Sequence, residues 1–217
     1  MPGEQLPDAN VIVNPNQHAC DFPSKALAGV GVIFYVMSAV RAGLRKKQWF
    51  GDQRPEPNMA DFLDLVALGT VADVVPLDKN NRILVEQGLR RIRSGKSCAG
   101  IRALIEVSGR SAAKLVASDM GFALGPRLNA AGRLDDISIC IGCLLTDDAA
   151  LARDIATELD SMNRDRRQIE QGMQVQADAA LEKLEQQPNT DMPIGLCLFD
   201  KNWHQGVVGI LASRVKD

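Results

Sequence analysis

Apolar residues recur at steps of three and four through most of this chain, which is the signature of helices with one buried face. In residues 22–47, FPSKALAGVGVIFYVMSAVRAGLRKK, the apolar face runs through Leu27, Val30, Phe34, Met37, Val40 and Leu44. Ser24 is placed to cap this helix, and Arg45, Lys46 and Lys47 suit its C-terminal dipole. Further helices are predicted over 60–69, 80–94, 101–108, 118–124 and 138–145. The most regular stretch begins after Asp147. From 149 to about 186 there is no proline and a single glycine, Gly172. Leu151, Ile155, Leu159, Met162, Ile169, Met173, Ala177, Ala180 and Leu184 keep helical spacing throughout. At 1.5 Å per residue this is a rod of about 57 Å, a length that suits a helix joining two domains.

Strand signals are fewer. Val11–Val13 is a short β-branched run closed by the turn NPN, and IGLCLFD (194–200) reads as a strand after the punctuation QQPNTDMP. NWHQGVVGILASRV then reads as a loop entering a helix, and GPRLNAAGRLDD (125–136) as a glycine-bracketed, non-repetitive segment. The expected architecture is α/β, mostly helical over 1–146, with a long connector over 147–187 and the opening of a second, α/β domain over 188–217.

With 46% hydrophobic and 24% charged residues the chain is of the soluble globular type. No apolar run approaches the roughly 18 residues of a membrane span. A net charge of −2 excludes a generally basic nucleic-acid coat protein, so any nucleic-acid role rests on local patches. Five scattered cysteines argue for reduced thiols and a cytoplasmic setting. MPGEQLPDAN shows no leader pattern, and both ends read as though a longer protein had been cut.

Three segments carry candidate chemistry. In ALGTVADVVPL (67–77) a single carboxylate, Asp73, stands among apolar neighbours. It is either a cap or turn carboxylate satisfied by backbone N–H groups, or a ligand for a hard cation. Gly121–Leu134 sets Arg127, Asn129 and Arg133 among glycines and alanines, where phosphate oxygens suit the arginine forks; exposed loop arginines are the plainer alternative. In WHQGVVGILASR, Gly206 lies where a helix begins and His204 is placed to meet a nucleotide, although taken alone the segment reads first as a helix N-terminus packed on a strand. Cys140 and Cys143 have no second ligand pair and read as core residues. Arg164, Arg166 and Arg167 alternate with acids and read as a solvated, ion-paired face.

Taken together, VIVNPN, FPSKALAGVGVIFYV, LVALGTVADVVPLDKNNR, GFALGPRLNAAGRLDD and WHQGVVGILASR resemble the RecJ exonucleases of the DHH phosphoesterase superfamily, over essentially the whole chain. The resemblance implies a metal-dependent 5′→3′ exonuclease of single-stranded DNA, working in recombination and repair beside helicase and single-strand-binding-protein partners. It implies a DHH domain and a DHH-associated domain joined by a long helix, with two Mn²⁺ or Mg²⁺ ions in the cleft. Asp73 then matches a metal-binding, catalytic aspartate, and Arg127, Asn129, Arg133, His204 and Gly206 match positions facing DNA. The family's Asp-His-His string is absent from this sequence. The expectation is therefore an incomplete piece with little activity alone. A phosphoesterase for cyclic dinucleotides or short oligonucleotides, or a non-catalytic nucleic-acid-binding scaffold, are the competing readings.

Overall fold

The computed structural model describes residues 7–17, 20–185 and 195–216. Helix α1 (Gly29–Lys46) leads, followed by a 3₁₀ turn (Met59–Phe62), α2 (Leu63–Ala72), α3 (Lys79–Arg93) and α4 (Ala99–Val107). A continuous helical run then comprises α5 (Ala117–Asp119), a π-helical turn (Met120–Leu124) and α6 (Gly125–Leu134). Helix α7 (Ser138–Leu145), the long α8 (Ala149–Glu185) and α9 (Val208–Lys216) complete the order.

The helices expected from periodicity are present. The expected strands are not: among the described residues there is no β-strand, only an isolated bridge between Gly51 and Arg54. Val11–Val13 lies as extended coil with Val11 79% exposed, and residues 196–200 are unpaired. An extended segment becomes a strand only when a neighbour takes its backbone groups, and these segments have none. The described residues are thus helical rather than α/β. Residues 186–194, with the break placed there from sequence, lie outside the described residues.

Two further expectations change. Ser24 does not cap α1, whose N-cap is Ala28. Ser24 is buried and its hydroxyl donates to Asp78 Oδ2 at 2.6 Å. The segment GPRLNAAGRL, read from its sequence as non-repetitive, is helix α6, which continues the π turn and has Ala130 and Ala131 fully buried.

The main core is built from α2, α3, α4, the π turn, α7 and the first half of α8. Ile92, Ile101, Leu104, Leu115, Met120, Leu124 and Leu159 are all fully enclosed. Helices α2 and α3 cross so closely that a Cβ on Gly88 would lie 2.2 Å from the Leu63 carbonyl oxygen. A second, smaller cluster joins Met173 and Ala177 of α8 to Val207 and Leu211 at α9. One 37-residue helix, about 55 Å long, therefore serves both clusters.

Candidate metal and nucleic-acid site

Helix α2 ends at Ala72, and Asp73 is its C-cap, with its N–H bonded to the Gly69 carbonyl at 3.0 Å. The sequence suggested a carboxylate enclosed by apolar neighbours. The structure shows an exposed one, because Val74 and Leu77 are themselves exposed (85% and 42%) and face solvent with it. Val74 has φ 54°, the left-handed conformation that a helix C-terminus usually assigns to glycine. A β-branched residue there is an outlier costing about 1–2 kcal/mol. The backbone is thus held in a tight reversal immediately after Asp73.

What holds it is the far end of the loop. Asp78 caps α3, accepting from the Asn81 N–H at 2.9 Å and from the Ser24 hydroxyl. These bonds to the ionised form, the Asn81 N–H first, hold the Asp78 carboxyl below the usual carboxylate range. Asn81 is fully buried, and its amide donates to the carbonyls of Pro76 (2.9 Å) and Ala26 (2.8 Å). Residues 73–78 are therefore pinned from beneath while Asp73 stays open. Pattern reasoning missed Ser24, Asp78 and Asn81 as a unit, since their partners lie more than 50 residues apart.

Helix α6 connects this loop to the second cluster. At its start Gly125 lies against Ala72, where a Cβ would be 3.4 Å from the alanine methyl. At its end Arg133 Nη1 donates to the Gly206 carbonyl at 3.0 Å. Gly206 sits so close that a Cβ would lie 2.2 Å from the Arg133 carbonyl oxygen. The Gly206 N–H donates to His204 Nδ1 at 3.1 Å, which leaves the ring proton of the neutral imidazole on Nε2. Arg133, His204 and Gly206 thus form one contiguous group, and Asn129 lies on the helix between them and Asp73. Helix α6 spans about 15 Å, which sets the scale of their separation from Asp73.

Arg127 differs. Its guanidinium is mostly buried, paired with Asp160 of α8 at 2.7 Å and donating to the Ala123 carbonyl at 2.5 Å. It ties the π turn to the long helix, and phosphate would compete with Asp160 for it. Cys140 and Cys143 are buried core residues as expected, and burial pushes both thiols up to about 11.

Among the described residues no group of three or more His, Cys, Asp or Glu side chains is arranged to hold a metal ion. Asp73 alone fits as one oxygen ligand for a hard cation, open to partners from elsewhere, and does not by itself make a two-ion site.

Solved structures share this arrangement of helices. The chain superposes on a crystal structure of RecJ in complex with Mn²⁺ from Thermus thermophilus with a TM-score of 0.76 and 33% identity, over 99% of this chain and 29% of that one. A structure of exonuclease RecJ bound to manganese matches with a TM-score of 0.71 and 35% identity, over 91% of this chain and 46% of that one. In sequence the chain is 62% identical to the single-stranded-DNA-specific exonuclease RecJ of Dickeya dadantii and 59% identical to that of Escherichia coli, along its whole length. It spans 38% of the length of each of these relatives. No protein-family model matches. The chain is thus similar along its whole length to RecJ proteins and corresponds to a part of those longer sequences. No helix among the described residues is long and apolar enough to cross a membrane.

Proposed function

We propose that this chain is a working part of a cytoplasmic, metal-dependent exonuclease that removes nucleotides 5′→3′ from single-stranded DNA in recombination and repair, with helicases and single-strand-binding proteins as partners. The observation that carries the proposal is the match along the entire chain to single-stranded-DNA-specific exonucleases, at 62% and 59% identity. In this reading residues 1–146 are the C-terminal part of a DHH domain, 147–187 the interdomain helix and 188–217 the beginning of a DHH-associated domain.

Asp73 supplies one ligand to a Mn²⁺ or Mg²⁺ centre, and other segments of the parent protein supply the rest. Divalent ions in such a centre provide an activated water and charge stabilisation at the scissile phosphate. The pinned loop 73–78 supports this role, because it presents the carboxylate from a fixed backbone. Arg133, Asn129, His204 and the Gly206 turn hold the strand through its phosphates and sugars, the sequence-independent part of nucleic-acid binding. Arg127 acts from behind, positioning the π turn and α6 against α8.

The test is Mn²⁺-dependent release of nucleotides from a labelled single strand, with the chain alone and with a separately made polypeptide carrying an Asp-His-His motif. Activity is expected only in the mixture, and Asp73→Ala should abolish it. Turnover by the chain alone that Asp73→Ala removes would overturn the assignment of the remaining ligands to other segments. A folded mixture with no activity would remove support for the catalytic reading.

A further inference from the structure

An open groove of about 550 Å³ lies between the π turn, the middle of α8 and α9, apart from the residues assigned above. That volume is within the range of ordinary ligand sites. Its walls carry Phe122, Arg166, Arg167, Glu170, Gln174 and Arg214. Three guanidinium groups against one carboxylate leave two net positive charges in the groove.

Phe122 is the unusual member. Its neighbours Met120, Ala123 and Leu124 are buried, yet Phe122 is 81% exposed. It stands on the five-residue π-helical turn, a local widening of the kind that accumulates at functional sites. The extra residue per turn presents the ring outward while its neighbours stay in the core. Beneath it Glu170, only 4% exposed, is gripped from two helices, by Arg166 Nη1 of α8 and Arg214 Nε of α9, each at 2.5 Å. Glu170 Oε2 accepts a hydrogen bond from Arg166, whereas Oε1 is only within ion-pair distance of Arg214, so the buried carboxylate fixes the Arg166 fork. Arg167 is exposed and has no carboxylate within 4.0 Å among the described residues.

An aromatic face beside a positively charged groove is how single strands are held without sequence preference: a base stacks and the backbone follows the charge. A protein partner would gain little from two uncompensated positive charges, and a free anion would have no use for the ring. We propose that this groove is a separate contact for single-stranded nucleic acid, with Phe122 as the stacking platform for one base and Arg167 holding the adjoining phosphate. The inference rests on the single-strand reading of the chain and adds to it a site that the sequence pattern assigned to solvent.

The experiment is fluorescence anisotropy of a labelled oligothymidylate of about 12 nucleotides, within the range of single-strand site sizes, titrated with the chain without added metal so that no turnover intervenes. Phe122→Ala is expected to raise the Kd about tenfold, and Phe122→Trp to restore it. Neither should change binding of a strand with the same backbone but abasic sites in place of bases. Arg167→Gln should lower the slope of log K against log salt by about 0.7, one phosphate contact's worth. Tight binding by the wild type that Phe122→Ala and Arg167→Gln leave unchanged would overturn the groove and leave the single-strand reading standing. No binding by the folded wild type would overturn both. Equal loss on the abasic strand would overturn the stacking role. Phe122 and Arg167 are exposed, so both variants should fold, which thermal unfolding checks directly.

Discussion

Replacing Gly206 with alanine should damage the junction between the two clusters more than any ordinary surface change. Gly206 does not occupy a left-handed conformation, so the glycine is required by space alone. The added Cβ would meet the carbonyl oxygen, carbonyl carbon and Cα of Arg133 at 2.2, 3.0 and 3.2 Å, all backbone atoms that no rotamer change can move. Restoring a normal contact near 3.4 Å means moving α6 and the turn apart by about 1.2 Å. That shift would stretch the 3.0 Å bond from Arg133 Nη1 to the Gly206 carbonyl beyond useful range, a loss of about 1 kcal/mol. Overpacking adds about 1–3 kcal/mol, and Val207, fully buried one residue on, moves with the turn. The expected total is about 2–4 kcal/mol, concentrated in α9 and the second half of α8. Urea unfolding followed by tryptophan fluorescence reads the total, since Trp203 packs against the second cluster. Hydrogen exchange reads its location: α9 amides should lose protection while those of α3 and α4 keep theirs. Gly95→Ala is the control, because Gly95 has φ +75° and open space around it, so its cost is conformational strain of about 1 kcal/mol without any local opening of α9. A Gly206→Ala chain within about 0.5 kcal/mol of wild type, with α9 exchange unchanged, would refute the close approach.

Other consequences can be measured as directly. Gly172 lies inside α8 with no atom within 4 Å of a Cβ built there, so Gly172→Ala should stabilise the chain by about 1 kcal/mol in urea unfolding. Arg127→Ala, Asp160→Ala and the pair should give a double-mutant coupling of about 1–2 kcal/mol, since both side chains are largely shielded. Asp78 has its native pKa depressed, so its contribution is fully present above the unfolded value of about 4 and is lost as pH falls through the lower native value. Asp78→Asn should therefore be less stable than wild type at neutral pH and approach it on acidification. Alkylation at pH of about 8 should modify exposed Cys197 first and leave Cys140 and Cys143 untouched until urea unfolds the main core, because burial keeps both as thiols.

Helices were legible in the sequence because each carries its own periodicity, α8 most of all. Strands were not, since Val11–Val13 and residues 196–200 show a β pattern that only a neighbouring strand could realise. The site was legible as residue types but not as contacts. Arg133 and Gly206 touch although they stand in separate strings, whereas Arg127 is held by Asp160, from a different helix. Asp73 was read as enclosed because its neighbours are apolar, but Val74 and Leu77 are exposed with it, and sequence cannot say which face of a loop is covered. Phe122 was hidden for the opposite reason. An apolar residue among apolar neighbours reads as core, and only the widened turn puts it outside.

Helix α8 also acts as a phase gauge. Leu159 belongs to the first cluster and Met173 to the second, so the number of positions between them fixes the angle at which α9 is presented to α6. Each residue of an α-helix advances the rotation by about 100° and the rise by 1.5 Å. One residue inserted between them would swing the second cluster about a quarter-turn away from Arg133, with every side chain in both clusters unchanged. Two residues would carry it to the far side of the rod, and an insertion of about seven would nearly restore the angle while lengthening the gap by about 10 Å. The dimension of the α6–α9 junction is thus written as a count of residues in a helix that lies mostly outside it.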